Sequence, residues 1–258
     1  VLMGERDIIK SFQLMPGVKA ADEGSAGFFV RGGSADQNLI LLDNVPLYNA
    51  SHLLGFFSTF NTDVVRDATL YKGSMPAQYG QRLSAVLDVQ QRNGDVNNYH
   101  VAGGIGLIAS RLSIEGPIQK GKSSFIVAGR RTYADAVARL SGVEEVQDAY
   151  LYFYDVNTKL SFSLSDKDNL SFSGYWGRDK LAAQDLASTD WGNLMGNLRW
   201  SHIINDKWNF SSNFAANKYD YYAEMDIQGL IKADGGSSIL DYSYKQEFSY
   251  TLSPNNTW

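Results

Sequence analysis

Residues 240–252 read Leu240-Asp241-Tyr242-Ser243-Tyr244-Lys245-Gln246-Glu247-Phe248-Ser249-Tyr250-Thr251-Leu252. Every even position is apolar or aromatic apart from Gln246, and every odd position is polar or charged. A period of two places the two sets on opposite sides of an extended strand. Tyr154, Val156, Thr158, Leu160, Phe162 and Leu164 alternate in the same way with Asp155, Asn157, Lys159, Ser161, Ser163 and Ser165. So do Leu194, Leu198 and Trp200 with Asn193, Asn197, Arg199 and Ser201. A water-soluble sandwich alternates too, so the pattern by itself leaves core and membrane open.

The connections add direction. Short polar turns are expected at 165–168, 205–207 and 253–256, with an earlier one at 117–122. Long polar loops are expected opposite them, at 134–152, 178–190 and 222–238. Short turns on one side and long loops on the other are the organisation of an outer-membrane up-and-down barrel. Seven strands are expected, at 99–115, 123–133, 153–165, 169–178, 192–204, 207–221 and 239–252. Strands of ~10–13 residues suit a tilted membrane span better than the ~5–6 usual in soluble sheets.

Composition is consistent with this. The chain has no cysteine, which excludes a disulfide framework and a thiolate metal site. Its net charge of −5 and pI near 5.2 argue against a nucleic-acid footprint. No run approaches the ~18 apolar residues of a membrane helix, and mean hydropathy is −0.26. Of 33 aromatic residues, 21 fall in residues 150–258, with all five tryptophans, as interface girdles would require. No proline interrupts the stretch between Pro117 and Pro254, as a continuous ladder demands.

Residues 1–95 differ in kind. A helix is expected from Glu5 to Met15, with Ile8, Phe12 and Met15 on one face and a stop at Pro16-Gly17. Short strands at 27–31, 38–42, 68–71 and 84–90 follow, and the turn Arg92-Asn93-Gly94-Asp95 joins this α+β domain to the barrel strands of residues 96–258.

Specific motifs sharpen this outline. Phe29-Val30-Arg31-Gly32-Gly33-Ser34, then Asn38-Leu39-Ile40-Leu41-Leu42-Asp43-Asn44-Val45-Pro46-Leu47, resembles the "VRG … LLDGVP" signature of TonB-dependent receptor plug domains. The resemblance continues through Leu70-Tyr71-Lys72-Gly73, Pro76-Ala77-Gln78-Tyr79-Gly80 and Leu83-Ser84-Ala85-Val86-Leu87-Asp88-Val89. Ile114-Glu115-Gly116-Pro117 is similar to the end of the family's first barrel strand, and Gly129-Arg130-Arg131-Thr132-Tyr133 to its second. The type most resembled is that of Bacteroidetes receptors with a carboxypeptidase-like regulatory domain upstream. Asn44 stands where the family usually has Gly; Asn tolerates positive φ, so the turn survives.

The resemblance implies a plug domain followed by antiparallel up-and-down transmembrane β-barrel strands, in a complete barrel of about 22 strands. Seven strands cannot enclose a plug, and the first six residues do not read as a signal peptide. The chain is therefore expected to be an internal piece carrying the N-terminal portion of the barrel.

The resemblance also places two plug apices toward the outside, where substrate lands. The first carries Ser34, Asp36 and Gln37; the second carries Tyr48, Asn49, His52, Phe56 and Phe57. The alternative for the phenylalanines is that they pack the plug core. Arg130 and Arg131 put one guanidinium on each side of a strand, one of them toward the lumen. Arg31 and Arg82 are further candidates for plug-to-wall ion pairs, with residues such as Glu115.

Enzyme chemistry has little support. His52, His100 and His202 show no local ligand spacing, and Glu144, Glu145 and Asp148 read as a solvated loop. Gly103-Gly104-Ile105-Gly106 lacks the strand-then-helix context of a phosphate cradle and is expected to continue as strand. The expectation is thus a non-enzymatic, TonB-dependent transport receptor of a Gram-negative outer membrane, with no cofactor and no metal site. Its partners would be TonB on the periplasmic side, the lipid bilayer and a surface lipoprotein. A receptor that signals to a periplasmic partner is an alternative. A passive porin or adhesin scaffold is disfavoured, because a plug would block diffusion.

Overall fold

The structure, a computed structural model, describes residues 7–21, 27–80, 82–106, 108–133, 149–183, 186–227, 231–253 and 256–257. The first residues of the expected helix, Glu5 and Arg6, and the loop residues Glu144, Glu145 and Asp148 lie outside these.

The N-terminal part opens with α1, Ile8–Gln13, whose first turn is capped by the Asp7 carboxylate accepting from Lys10 N–H at 3.1 Å. The helix is shorter than expected because it ends at Leu14, and the chain then turns through Gly17 at φ 79°. Eight short strands follow: β1 Val18–Ala20, β2 Phe28–Val30, β3 Asn38–Leu42, β4 Val45–Pro46, β5 Ser51–His52, β6 Phe57–Ser58, β7 Val65–Tyr71 and β8 Ala85–Gln91. Four of them form a mixed sheet in the order β4-β3-β8-β7, with β3 parallel to β8. Asp43 and Asn44 join β3 to β4 with φ of 47° and 69°. Two successive positive φ values define the tight hairpin turn that Asn and Asp tolerate. Ile9, Phe28, Val30, Leu42, Val45, Phe60, Leu87 and Val89 fill the core beneath the sheet.

The remaining strands form one antiparallel sheet, each paired with the next in sequence. They are β9 His100–Ile105, β10 Ala109–Gln119, β11 Ser123–Thr132, β12 Ala149–Ser163, β13 Asp168–Ala183, β14 Ala187–Ile203, β15 Trp208–Ile227, β16 Ile231–Ser253 and a stub, β17 Asn256–Thr257. The sheet forms a wall, and the N-terminal domain sits against one of its faces.

Two expectations are corrected here. Within the expected loops 178–190 and 222–238, the described residues are mostly strand: β13 pairs with β14 up to Ala183↔Ala187, and β15 with β16 up to Ile227↔Ile231. These strands run to 16, 17, 20 and 23 residues. At their outer ends Asp190, Glu224, Asp226, Lys232 and Asp234 all fall on the side that carries Leu194 and Phe214 further down, while Tyr221, Ala223, Met225 and Ala233 take the other. The apolar and polar sides exchange there, although the backbone ladder runs on unbroken. The expected strand 99–115 is instead two strands: the chain reverses after Ile105, with Gly106 N–H bonded to Ala109 O at 2.8 Å, so β9 pairs antiparallel with β10.

The wall inverts the usual burial. Its buried residues include Ser113, Arg130, Asp155, Asn157, Lys159, Ser173, Asn193, Asn197, Asn213 and Asn217, all facing the N-terminal domain. Leu112, Ile114, Phe172, Trp176, Leu194, Leu198, Phe214, Tyr242 and Phe248 are exposed on the other side. A face of this kind fits a hydrocarbon surrounding, not water. Among the described residues no helix is long and apolar enough to cross a membrane.

Candidate functional site: the seat of the N-terminal domain and its upper loop

Because successive residues of a strand face opposite ways, every second wall residue reaches the N-terminal domain. Three apolar residues, Tyr175, Met195 and Ala215, complete its core from the wall side. Around them lie polar contacts. Lys159 Nζ is 3.1 Å from Asp43 Oδ2 and donates to Gln91 O at 2.9 Å. Asn197 Nδ2 donates to Asp43 O at 2.7 Å, Asn193 Nδ2 to Asn49 O at 2.9 Å, and Asn217 Nδ2 to Pro46 O. Three wall amides thus hold backbone carbonyls along one short segment, 43–49, whatever side chains that segment carries.

Further along the wall, Arg111 pairs with Asp63, and Arg92 Nη1 meets Glu115 Oε2 at 2.6 Å. Where the two parts join, Asp95 Oδ1 accepts from the backbone amides of Asn97 and Asn98, at 2.6 and 3.0 Å, while Oδ2 meets the His100 ring. The Asn97 amide first, then His100 and Asn98, hold this carboxyl down at about 2.

A buried cluster fixes the upper loop. His52 Nδ1 lies 2.6 Å from Asp179 Oδ2, and its Nε2 is 3.1 Å from Tyr175 Oη and 3.4 Å from Asp155 Oδ2. Arg130 donates to Asp155 from Nε at 2.9 Å and from Nη2, and to Ser58 O at 3.0 Å. Phe153 stacks on the imidazole at 4.1 Å and 4°. Burial would lower the His52 pKa, but the carboxylates of Asp179 and Asp155 outweigh it and the pKa is raised.

The structure separates the residues singled out from sequence. Tyr48, Phe56, Ser34 and Asp36 are exposed, and Asn49 and Gln37 are half-buried. Ser34 and Gln37 cap each other around a single helical turn, and Ser34 Oγ bonds Asp36. Asn49 Oδ1 accepts from Ser51 N–H at 3.1 Å and so shapes the loop from within. His52 and Phe57 are buried, at 2% and 5% exposure, against the wall residues Asp179 and Phe153. Phe57 packs with Leu53 and the wall residue Phe153, apart from the core beneath the plug sheet.

Among the arginines, Arg130 points inward. Arg131 points outward and covers the Tyr152 ring at 5.7 Å, so it does not touch the N-terminal domain. Glu115 is taken by Arg92, not by Arg31 or Arg82, both of which are exposed. Arg31 lies in the turn after β2 with φ 49°, its guanidinium beside Gly73 of the same domain. Sequence reading missed Asp43, Asp155, Lys159 and Asp179. For Asp155 and Lys159 the signal was polar identity at inward positions of an alternating strand; Asp43 lay in the motif turn and Asp179 in a stretch expected as loop.

The architecture is that of a small mixed α/β domain seated inside part of an up-and-down barrel. The family model of the TonB-dependent Receptor Plug Domain matches residues 3–86. Among solved structures, the siderophore receptor PirA from Acinetobacter baumannii superposes with a TM-score of 0.68 at 13% identity, covering 99% of this chain and 44% of that one. The FrpB iron transporter from Neisseria meningitidis gives 0.68 at 14% identity, covering 96% and 44%. The copper transporter OprC gives 0.65 at 11%, covering 95% and 40%. The chain spans less than half the length of these structures. No curated protein matches it. Residues 3–86 thus match the plug-domain family, and the plug-like domain with the wall that follows shares its fold with part of these receptors.

Proposed function

We propose that this chain forms the plug and adjoining wall of a TonB-dependent active transporter in a Gram-negative outer membrane. The observation that carries the reading is a plug seated by buried polar contacts on a wall whose other face is apolar. Such a seat yields locally to a pull without disturbing the lipid-facing surface. The plug would extend to residue 95 and the barrel begin at 96. TonB would act on the periplasmic side, where the short turns lie. The siderophore receptor and the iron and copper transporters of like fold support an import role for an extracellular nutrient, whose class stays open. The motifs around Arg31 and Asp43 favour the Bacteroidetes type with a carboxypeptidase-like regulatory domain upstream and a surface lipoprotein as partner.

Substrate contact would fall on the exposed Tyr48 and Phe56, with Asn49, Ser34, Asp36 and Gln37 around them. Aromatic anchors dominate binding energy, and truncating one costs ~2 kcal/mol, about thirtyfold in affinity. In the full-length receptor Tyr48→Ala with Phe56→Ala should weaken substrate binding at least that much while leaving surface abundance and heat-modifiable gel mobility unchanged. Deleting TonB should abolish uptake and spare binding. Uptake at the wild-type rate without TonB would contradict active transport.

A further inference from the structure

Leu53, Leu54 and Gly55 follow His52 with φ of 49°, 57° and 104°. Glycine adopts this region freely, whereas a leucine Cβ crowds the backbone there, so two successive leucines need an outside restraint. Asp179 of β13 supplies it. Its Oδ1 accepts from Leu53 N–H at 2.7 Å and its Oδ2 meets His52 Nδ1 at 2.6 Å. One carboxylate therefore grips a ring and the next residue's backbone together.

Among the described residues, these charged and titratable groups surround the ring. Asp179 and Tyr175 face it from β13, Asp155 from β12, and Arg130 reaches Asp155 from β11. From β15, Tyr219 lies near Asp179. On the plug side, Lys10 donates to Phe56 O and Asp7 accepts from Ser58 N–H, both at the loop's far edge. With a neutral imidazole, Arg130 faces two buried carboxylates and the cluster keeps an uncompensated negative charge, which is costly away from water. With an imidazolium, His52 and Arg130 together match the charges of Asp155 and Asp179 among the described residues, and both ring nitrogens can donate toward the carboxylates that face them.

We propose that His52 is held as an imidazolium, and that its proton is the catch that keeps the Leu53–Gly55 turn against wall strands β11, β12 and β13. The catch concerns seating alone and stands whether or not the loop meets substrate. His52 has a raised pKa when seated, from 6.5 for a free imidazole. Its stabilisation is complete below that ordinary value and is lost as pH rises through the raised one. Loss of the proton would free the turn that carries the exposed Leu54 and Phe56.

The test is hydrogen–deuterium exchange over residues 51–58 in the purified full-length receptor, corrected for the intrinsic pH dependence of exchange. Wild-type protection should hold through neutral pH and then fall ~tenfold per pH unit in the alkaline range. His52→Gln should lose that protection at neutral pH and show no further fall. Combining His52→Gln with Asp179→Asn restores neutrality and keeps an acceptor for Leu53 N–H. This pair should recover protection and stay flat with pH. If the single variant fails to assemble and the pair assembles, the same charge requirement is supported. Wild-type-like protection in His52→Gln, no recovery in the pair, or a flat alkaline profile in the wild type would each overturn the proposal.

Discussion

The plug and the wall solve burial in opposite senses. In the plug, Leu42, Leu87 and Val89 are sealed inside, as in any water-soluble domain. In the wall, Asn157, Asn197 and Asp155 are sealed inside, while Leu194 and Phe214 stand 55% exposed on the other face. One chain thus carries two rules, and the seat is where they meet: apolar plug residues against Tyr175 and Met195, polar ones against asparagines and charges. The difference teaches that buried polarity in the wall is not a defect of packing. It belongs to a surface that grips another domain and, under the proposed function, would have lipid behind it.

The sharpest way to break this comparison is to remove a buried charge from the seat. Lys159→Met leaves the Asp43 carboxylate buried without its cation, which should cost ~3–5 kcal/mol of seating. Limited proteolysis of the plug in the full-length receptor should accelerate while the wall still runs as a heat-modifiable band. Next comes the outer face. Phe214→Arg should cost ~2–4 kcal/mol near the bilayer midplane and depress barrel assembly. Ser211→Arg, on the inner face of the same strand, should be milder. Equal tolerance of the two would mean that the outer face does not meet lipid. The smallest effect is expected from the amide contacts: Asn197→Ala strips the Asp43 carbonyl of its donor and should cost ~1–3 kcal/mol, seen as faster amide exchange around residues 43–46.

What could be read from sequence followed the same divide. Alternation in 240–252 and 154–165 exposed the wall, because a lipid-facing strand repeats its apolar set every second residue. It failed where β13 to β16 rise past the apolar band, since there charged residues take over the outer side and only the ladder continues unchanged. The plug was legible through its motifs and the turn at Asp43-Asn44, a local feature. The buried cluster was not. His52 lies 127 residues from Asp179, and no local spacing announces such a pair. The phenylalanines of one loop divide between Phe57 inside and Phe56 outside, which composition cannot sort.

The central claim, that the wall has a lipid face and a plug face, can be tested with its own tryptophans. Trp176 is 48% exposed on the outer face, and Trp191 is 6% exposed on the inner one. Single-tryptophan versions of the full-length receptor, reconstituted in brominated lipid, would report contact with acyl chains through fluorescence quenching. Strong quenching of Trp176 with none of Trp191 is expected; quenching of both alike, or of Trp191 alone, would contradict the inverted wall.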